Sequence, residues 1–147
     1  PQMIEETLCH HPAVAIAAAI GQPDSYAGEI PVAYVALRAG MEATAEQLQE
    51  FARQKINERA AVSARIEVLP QLPVTAVGTI FKPALRHRAI EHVLGAALGE
   101  KGIEASIAVA EDPKEGTLAT VTVPPDQAGA AGDALARFTV KHRIRNP

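Results

Sequence analysis

Between Leu72 and Arg86 the chain reads "LPVTAVGTIFKPALR", and the residues able to do chemistry crowd its second half. Gly78 and Thr79 form a turn, and "KPALRHR" then concentrates Lys82, Arg86, His87 and Arg88. Ammonium and guanidinium groups at that density suit phosphates or carboxylates, and equally suit a solvated first helical turn. A second concentration, Cys9, His10 and His11, reads as dipole-compatible surface residues at a helix end, because adjacent helical positions face different ways and no Cys/His spacing resembles a zinc site. No metal ligand set is expected. The third group is Lys141, Arg143 and Arg145, which alternation places on one strand face as the charge that protects an exposed edge. "GDALA" and "GAAG" are too loose to cradle a phosphate.

Elements must position these groups, and composition bounds what the elements can be. The chain has 147 residues, 48% apolar and 21% charged, with aromatics at 3% and no Trp, so its core rests on small side chains. That length suits one domain or two small ones. A net charge of -3 argues against a dedicated nucleic-acid partner. The single cysteine excludes an internal disulfide, and a reducing cytoplasm is the expected compartment. No apolar run is long enough to span a membrane. The chain begins at Pro1 without an initiator Met, as expected of an excised or processed piece.

Read for periodicity, "QMIEETLCHH" is a helix with Ile4 and Leu8 one turn apart, ended by Pro12. "AVAIAAAIG" (Ala13 to Gly21) is a strand buried on both faces, "QPDSYAGE" a turn-rich loop, and "IPVAYVALRAG" (Ile30 to Gly40) a second strand. Thr44 with Gln47 three residues on is a capping box for a helix carrying Leu48, Phe51, Ala52 and Ile56. "RIEVL" (Arg65 to Leu69) is a third strand. From Pro83 a helix with Leu85, Ala89, Val93 and Ala97 on one stripe runs to Gly99. "IEASIAVA" and "TLATVTV" form a hairpin about "EDPKEG", a helix with Asp126 as its cap comes next, and "RFTVKHRI" is a half-buried last strand with Phe138, Val140, His142 and Ile144 on its inner face. With "TIF" as a leading strand, this second part is a ferredoxin-like βαββαβ unit.

The first 88 residues resemble the small C-terminal domain of the AMP-forming acyl-CoA synthetases and related adenylate-forming enzymes. The resemblance runs in order through "IEETLCHHPAV", the Gly21-to-Asp24 "G-x-P-D", "GEIPVAYV", the capped helix, and "LP-x-T-x-x-G-x-I-x-x-x-x-LR" from Leu72 to Arg86. It implies an α+β lid domain, a three-stranded sheet with helices, over residues 1–88, with residues 89–147 as an appended ferredoxin-like extension. It further implies a ligase that joins a small-molecule carboxylic acid to ATP with magnesium and passes the acyl group to coenzyme A. The partner is a large N-terminal adenylation domain preceding Pro1, and the isolated lid is expected to be inactive and to bind no cofactor. In the family the turn carries a lysine that reaches the substrate carboxylate and the α-phosphate during adenylation; here Gly78 matches the glycine, Ile80 the isoleucine, and Thr79 stands in the lysine's place.

A hydroxyl on a short stem replaces neither that charge nor its reach. Lys82, three residues along a strand-like segment, is expected to face the opposite way. Thr79 is thus an engineered or accidental change, a natural variant impaired in adenylation, or the mark of drift to another task. Lys82 and Arg86 are candidates for the phosphates of coenzyme A or for the acidic rim of the large domain, and Glu29 in "GEIP" has a structural place. A second departure is "AAVSARI" (Ala60 to Ile66), where the family usually carries an aromatic-lysine-x-proline turn that would hold coenzyme A phosphates. The alternative to a ligase lid is a non-catalytic regulatory or partner-binding module derived from one.

Overall fold

The structure, a computed structural model, describes residues 2–56 and 65–147. Most of the "AAVSARI" stretch lies outside the described residues. The chain divides into two compact units, Pro1–Gly21 with Ile30–Leu85 and Gln22–Glu29 with Arg86–Pro147.

The element order is α1 (Gln2–Cys9), β1 (Val14–Asp24), β2 (Gly28–Leu37), α2 (Ala45–Lys55), β3 (Arg65–Leu69), α3 (Lys82–Glu100), β4 (Ser106–Asp112), β5 (Gly116–Thr122), α4 (Ala128–Leu135) and β6 (Lys141–Arg145). Two three-stranded sheets result, in the orders β1-β2-β3 and β4-β5-β6. This is the mixed α+β architecture expected of the sequence.

In the first sheet the segment read as a loop is mostly strand. β1 and β2 run on to a tight connection in which the Asp24 carboxylate accepts the N–H groups of Tyr26 and Ala27, at 3.1 and 2.9 Å. Gly28 takes φ 79°, a region open to glycine without steric cost. The Thr44 hydroxyl accepts the Gln47 N–H while the Gln47 amide oxygen accepts the Thr44 N–H, so the capping box closes in both directions. α2 then carries the chain over to β3, which pairs parallel with β2 from Val32↔Arg65 to Ala36↔Leu69. Ile4 and Leu8 of α1, Leu48 and Ala52 of α2, and Ala33 and Val35 of β2 share one core. α1 stops at Cys9, before Pro12, with bonds from His10 and His11 back to Thr7 and Leu8 tightening its last turn.

The second sheet is built on the same plan. β4 and β5 form the expected hairpin about Asp112 and Gly116, the Asp112 carboxylate accepting the N–H groups of Lys114 and Glu115 and Gly116 taking φ 76°. The Glu115 and then the Lys114 N–H hold the Asp112 carboxyl below its ordinary value. α4 returns the chain so that β6 lies parallel to β5. Leu94 and Leu98 of α3, Ala119 and Val121 of β5, and Ala131 and Leu135 of α4 form its core.

Three expectations are corrected by these elements. "TIF" is no leading strand: Ile80 makes only an isolated antiparallel bridge with Val74, six residues back, so the second part is αββαβ, with β6 directly beside β5. Asp126 does not cap α4. It lies in a 3-10 turn, Pro125–Gln127, where Pro124 and Pro125 steer the chain, and α4 has no side-chain cap. The last strand begins at Lys141, because Phe138 still closes the end of α4 through its N–H to the Leu135 carbonyl.

Candidate functional site

The turn that carries Thr79 is built by local hydrogen bonds. The Gly78 N–H donates to the Thr75 carbonyl at 2.9 Å, the Thr75 N–H to the Thr79 carbonyl at 2.7 Å, and the Phe81 N–H to the Pro73 carbonyl at 2.8 Å. Gly78 adopts φ 88°, and a Cβ there would meet nothing within 4 Å, so the glycine answers a backbone need and not a steric one. The Thr79 hydroxyl pairs with that of Thr75 at 2.8 Å. Val74, Val77 and Phe81 expose apolar surface around the turn, Val77 to 86%.

Lys82 does not continue a strand past this turn. It is the first residue of α3, with Pro83 next, where a missing N–H costs nothing. Its ammonium lies 3.0 Å from the Glu5 carboxylate, and the same carboxylate oxygen accepts the Ala19 N–H at 2.9 Å. Lys82 thus holds the start of α3 to α1 and β1. Arg86, four residues further along α3, is exposed. The four sequence-derived residues therefore separate: Gly78 and Thr79 shape one turn, Lys82 is committed to Glu5, and Arg86 projects to solvent.

Two participants escaped the sequence reading. Thr75 carried a signal, a second threonine four residues before the first across a glycine turn. Glu5 carried none, being separated from Lys82 by the whole first sheet. Of the two histidines at the end of α1, His11 has a structural use: its Nδ1 accepts the Ala13 N–H at 3.1 Å, and its ring meets Phe51 edge-on at 4.9 Å. Among the described residues no group of three or more His, Cys, Asp or Glu gathers to hold a metal, and no helix is long and apolar enough to cross a membrane. A groove of about 400 Å³ between α2 and β3 is lined by Glu46, Glu50, Arg53 and Arg65, a mixed-charge wall with no selectivity for an anion.

As it stands the turn offers a hydroxyl donor and no cation of its own, so it does not fit the electrostatic part of a phosphate-contacting role. Residue 79 contributes its carbonyl to the backbone bonds of the turn, and its side chain adds the one hydroxyl contact to Thr75.

Known proteins resemble this chain in sequence and fold. The family described as AMP-binding enzyme C-terminal domain matches residues 3–79, ending on the turn. The marinolic acid–CoA ligase of Pseudoalteromonas sp. (strain SANK 73390) is 37% identical over 123 residues, 82% of this chain and 19% of that protein. That stretch is longer than everything up to Leu85, so it extends into the second unit. The long-chain-fatty-acid–CoA ligase of Bacillus subtilis (strain 168) is 40% identical over 62% of this chain and 15% of its own. Among solved structures, an acyl-CoA synthetase of Brucella canis superposes with a TM-score of 0.57 at 34% identity, over 63% of this chain and 18% of that one. A fatty acyl CoA synthetase of Mycobacterium tuberculosis gives 0.54 at 28% identity, over 60% and 17%. The chain spans less than a fifth of the length of these relatives. With more than half of its residues matched by the family, the chain belongs to the AMP-binding enzyme C-terminal domain of the adenylate-forming enzymes.

Proposed function

We propose that the chain is the lid of an ATP-dependent, AMP-forming acyl-CoA ligase that converts a carboxylic acid, ATP and coenzyme A into acyl-CoA, AMP and pyrophosphate in the cytoplasm. The observation that carries this is the ordered match over residues 3–79, which ends on the Gly78–Thr79 turn. The acid, ATP and magnesium belong to the N-terminal adenylation domain of the longer protein, and the isolated lid is inactive. Residues 1–88 are the lid proper and residues 89–147 an appended module, a division supported by the family match, which stops at residue 79, and by the boundary of the two compact units after Leu85. Lys82 and Arg86 are retained as phosphate contacts for coenzyme A, Arg86 as the stronger of the two because its guanidinium is exposed and Lys82 is held by Glu5.

Thr79 divides the two halves of the reaction. A preorganised cation aimed at charge that shifts during attack on phosphorus lowers the barrier; its loss costs on the order of 10²–10³ in rate. The longer protein is therefore slow in making acyl-adenylate and much less affected in passing a preformed adenylate to coenzyme A. The test is pyrophosphate release for the first half and thioester formation from supplied adenylate for the second, on the parent and on Thr79→Lys. The expected result is a gain of roughly 10²-fold or more in the first half with little change in the second. Equal pyrophosphate release by both forms would remove Thr79 from the lysine's place. Absence of both half-reactions, in both forms and with any acid tried, would favour the second reading, a regulatory or partner-binding module, which the missing cation at position 79 recommends.

A further inference from the structure

β6 carries Lys141, Arg143 and Arg145 on the face opposite His142 and Ile144. Register extends that face across the sheet: Thr120 lies beside Arg143 and Thr122 beside Arg145, with Ala108 and Ser106 next in the same rows on β4. The other face is spoken for, since Ala119, Val121 and Ile144 enter the core with α3 and α4. These two rows make a platform of two guanidiniums, three hydroxyls and a methyl group, with Ser106, Ala108, Arg143 and Arg145 all exposed; the next row on the same face is Lys141, Leu118 and Ala110, with Leu118 buried. Small residues beside the arginines leave room for an object to lie flat on the sheet.

From these positions the geometry points to a binding site for a compact oligophosphate, a diphosphate or the triphosphate tail of a nucleotide, on the solvent face of the second sheet. Arg143 and Arg145 stand two strand residues apart, roughly 6.6–6.8 Å, a separation that two phosphate groups of one small molecule can bridge. Each guanidinium offers a planar fork of N–H donors to phosphate oxygens, and the Thr120 and Thr122 hydroxyls add neutral donors beneath. Among the described residues no carboxylate lies within ion-pair distance of either arginine, although Asp112 is close enough to Arg143 to feel its charge. The third cation is guarded: Lys141 lies 3.4 Å from Glu115, whose carboxylate competes with an incoming anion. A cleft of about 490 Å³ lined by Glu115, Leu118, Val140, Lys141, His142 and Arg143 opens at the Lys141 end of the same strand and meets the platform at Arg143. A nucleic-acid strand fits less well, since this face has no aromatic side chain on which a base could stack.

The site is independent of the ligase reading, because its test uses only this chain. Titration calorimetry with inorganic tripolyphosphate and pyrophosphate is expected to show saturable one-to-one binding, with orthophosphate at least tenfold weaker. Arg143→Gln combined with Arg145→Gln should weaken tripolyphosphate binding tenfold or more, and the Arg→Lys pair should weaken it several-fold by losing the forks while keeping the charge. Glu115→Gln, which releases Lys141, should tighten it several-fold. Since these side chains are exposed, the thermal transition of each variant should match the parent's, which separates lost binding from lost folding. No binding, binding indifferent to the double substitution, or a single-stranded oligonucleotide that binds more tightly per phosphate than tripolyphosphate would each overturn the proposal.

Discussion

In the first sheet the hairpin turns on Asp24 and Gly28, and α2 brings β3 back parallel to β2; in the second the hairpin turns on Asp112 and Gly116, and α4 brings β6 back parallel to β5. Each sheet is preceded by a helix, so αββαβ occurs twice. The difference lies in exposure. Val32 through Ala36 of β2 are all buried, on both faces of the strand, whereas β4 and β6 alternate between half-buried and exposed residues. A central strand buried on both faces offers a ligand nothing, so the candidate residues of the first unit lie beyond its last strand, at the Gly78–Thr79 turn and at Lys82. A sheet with one dry face and one wet face keeps a platform, and in the second unit that platform carries the cations.

If the two units differ only in their outer surfaces, their cores should be equally sensitive. Leu48 of α2 and Leu135 of α4 occupy equivalent crossover helices and are fully buried. Leu48→Ala and Leu135→Ala should each cost about 2–5 kcal/mol in urea unfolding, the loss of transfer free energy plus the cavity left behind. A cost for Leu135→Ala below about 1 kcal/mol would mean that the second core is loosely packed and that the comparison fails at its base.

The two crossover helices begin differently, and this gives a smaller effect. Thr44 satisfies a donor at the start of α2 and is satisfied in return by Gln47, so Thr44→Ala should cost about 1 kcal/mol. Asp126 makes no cap bond to α4, so Asp126→Ala should stay within about 0.5 kcal/mol. Equal losses in the two variants, by chemical denaturation, would restore Asp126 as a cap and erase this contrast.

The same contrasts show what periodicity and caps can convey. The capping box was legible because donor and acceptor sit three residues apart; β3 and the second hairpin were legible because alternation is a local signal. The candidate site was legible only as far as the turn itself. Lys82 looked like a strand residue because "TIFK" has no local mark of the helix start except Pro83, and its partner Glu5 lies at the far end of the unit. "TIF" failed as a strand because a partner for it was available six residues away, and a short loop closes at less entropic cost than a long-range pairing. Asp126 failed as a cap because Pro124 and Pro125 set the backbone before it could act. Long-range ion pairs leave no periodicity, and the lettering of the chain was silent wherever they decide.

The smallest expected difference concerns the residues flanking the two hairpin turns. Next to Asp112 stands Glu111, and next to Gly116 stands Thr117; at the matching places of the first hairpin are Pro23 and Glu29. The Thr117 hydroxyl donates to Glu111 Oε2 at 2.8 Å, and His87 Nε2 of α3 lies 2.8 Å from the same oxygen. The Thr117 hydrogen bond, and then His87, hold the Glu111 carboxyl below its ordinary value of 4.5. A carboxyl lowered in the folded state binds its proton more readily in the unfolded chain, so its contribution is complete above 4.5 and is lost as pH falls through the folded value. Glu111→Gln should therefore be less stable than the parent near neutrality, and the gap should close on acidification, with Thr117→Val removing part of it. Unfolding midpoints taken from about pH 7 to about pH 3 read this directly. A gap that stays constant over that range would mean that Glu111 contributes through its contacts in either protonation state. The second hairpin would then be no more sensitive to acid at this position than the first, which has a proline there.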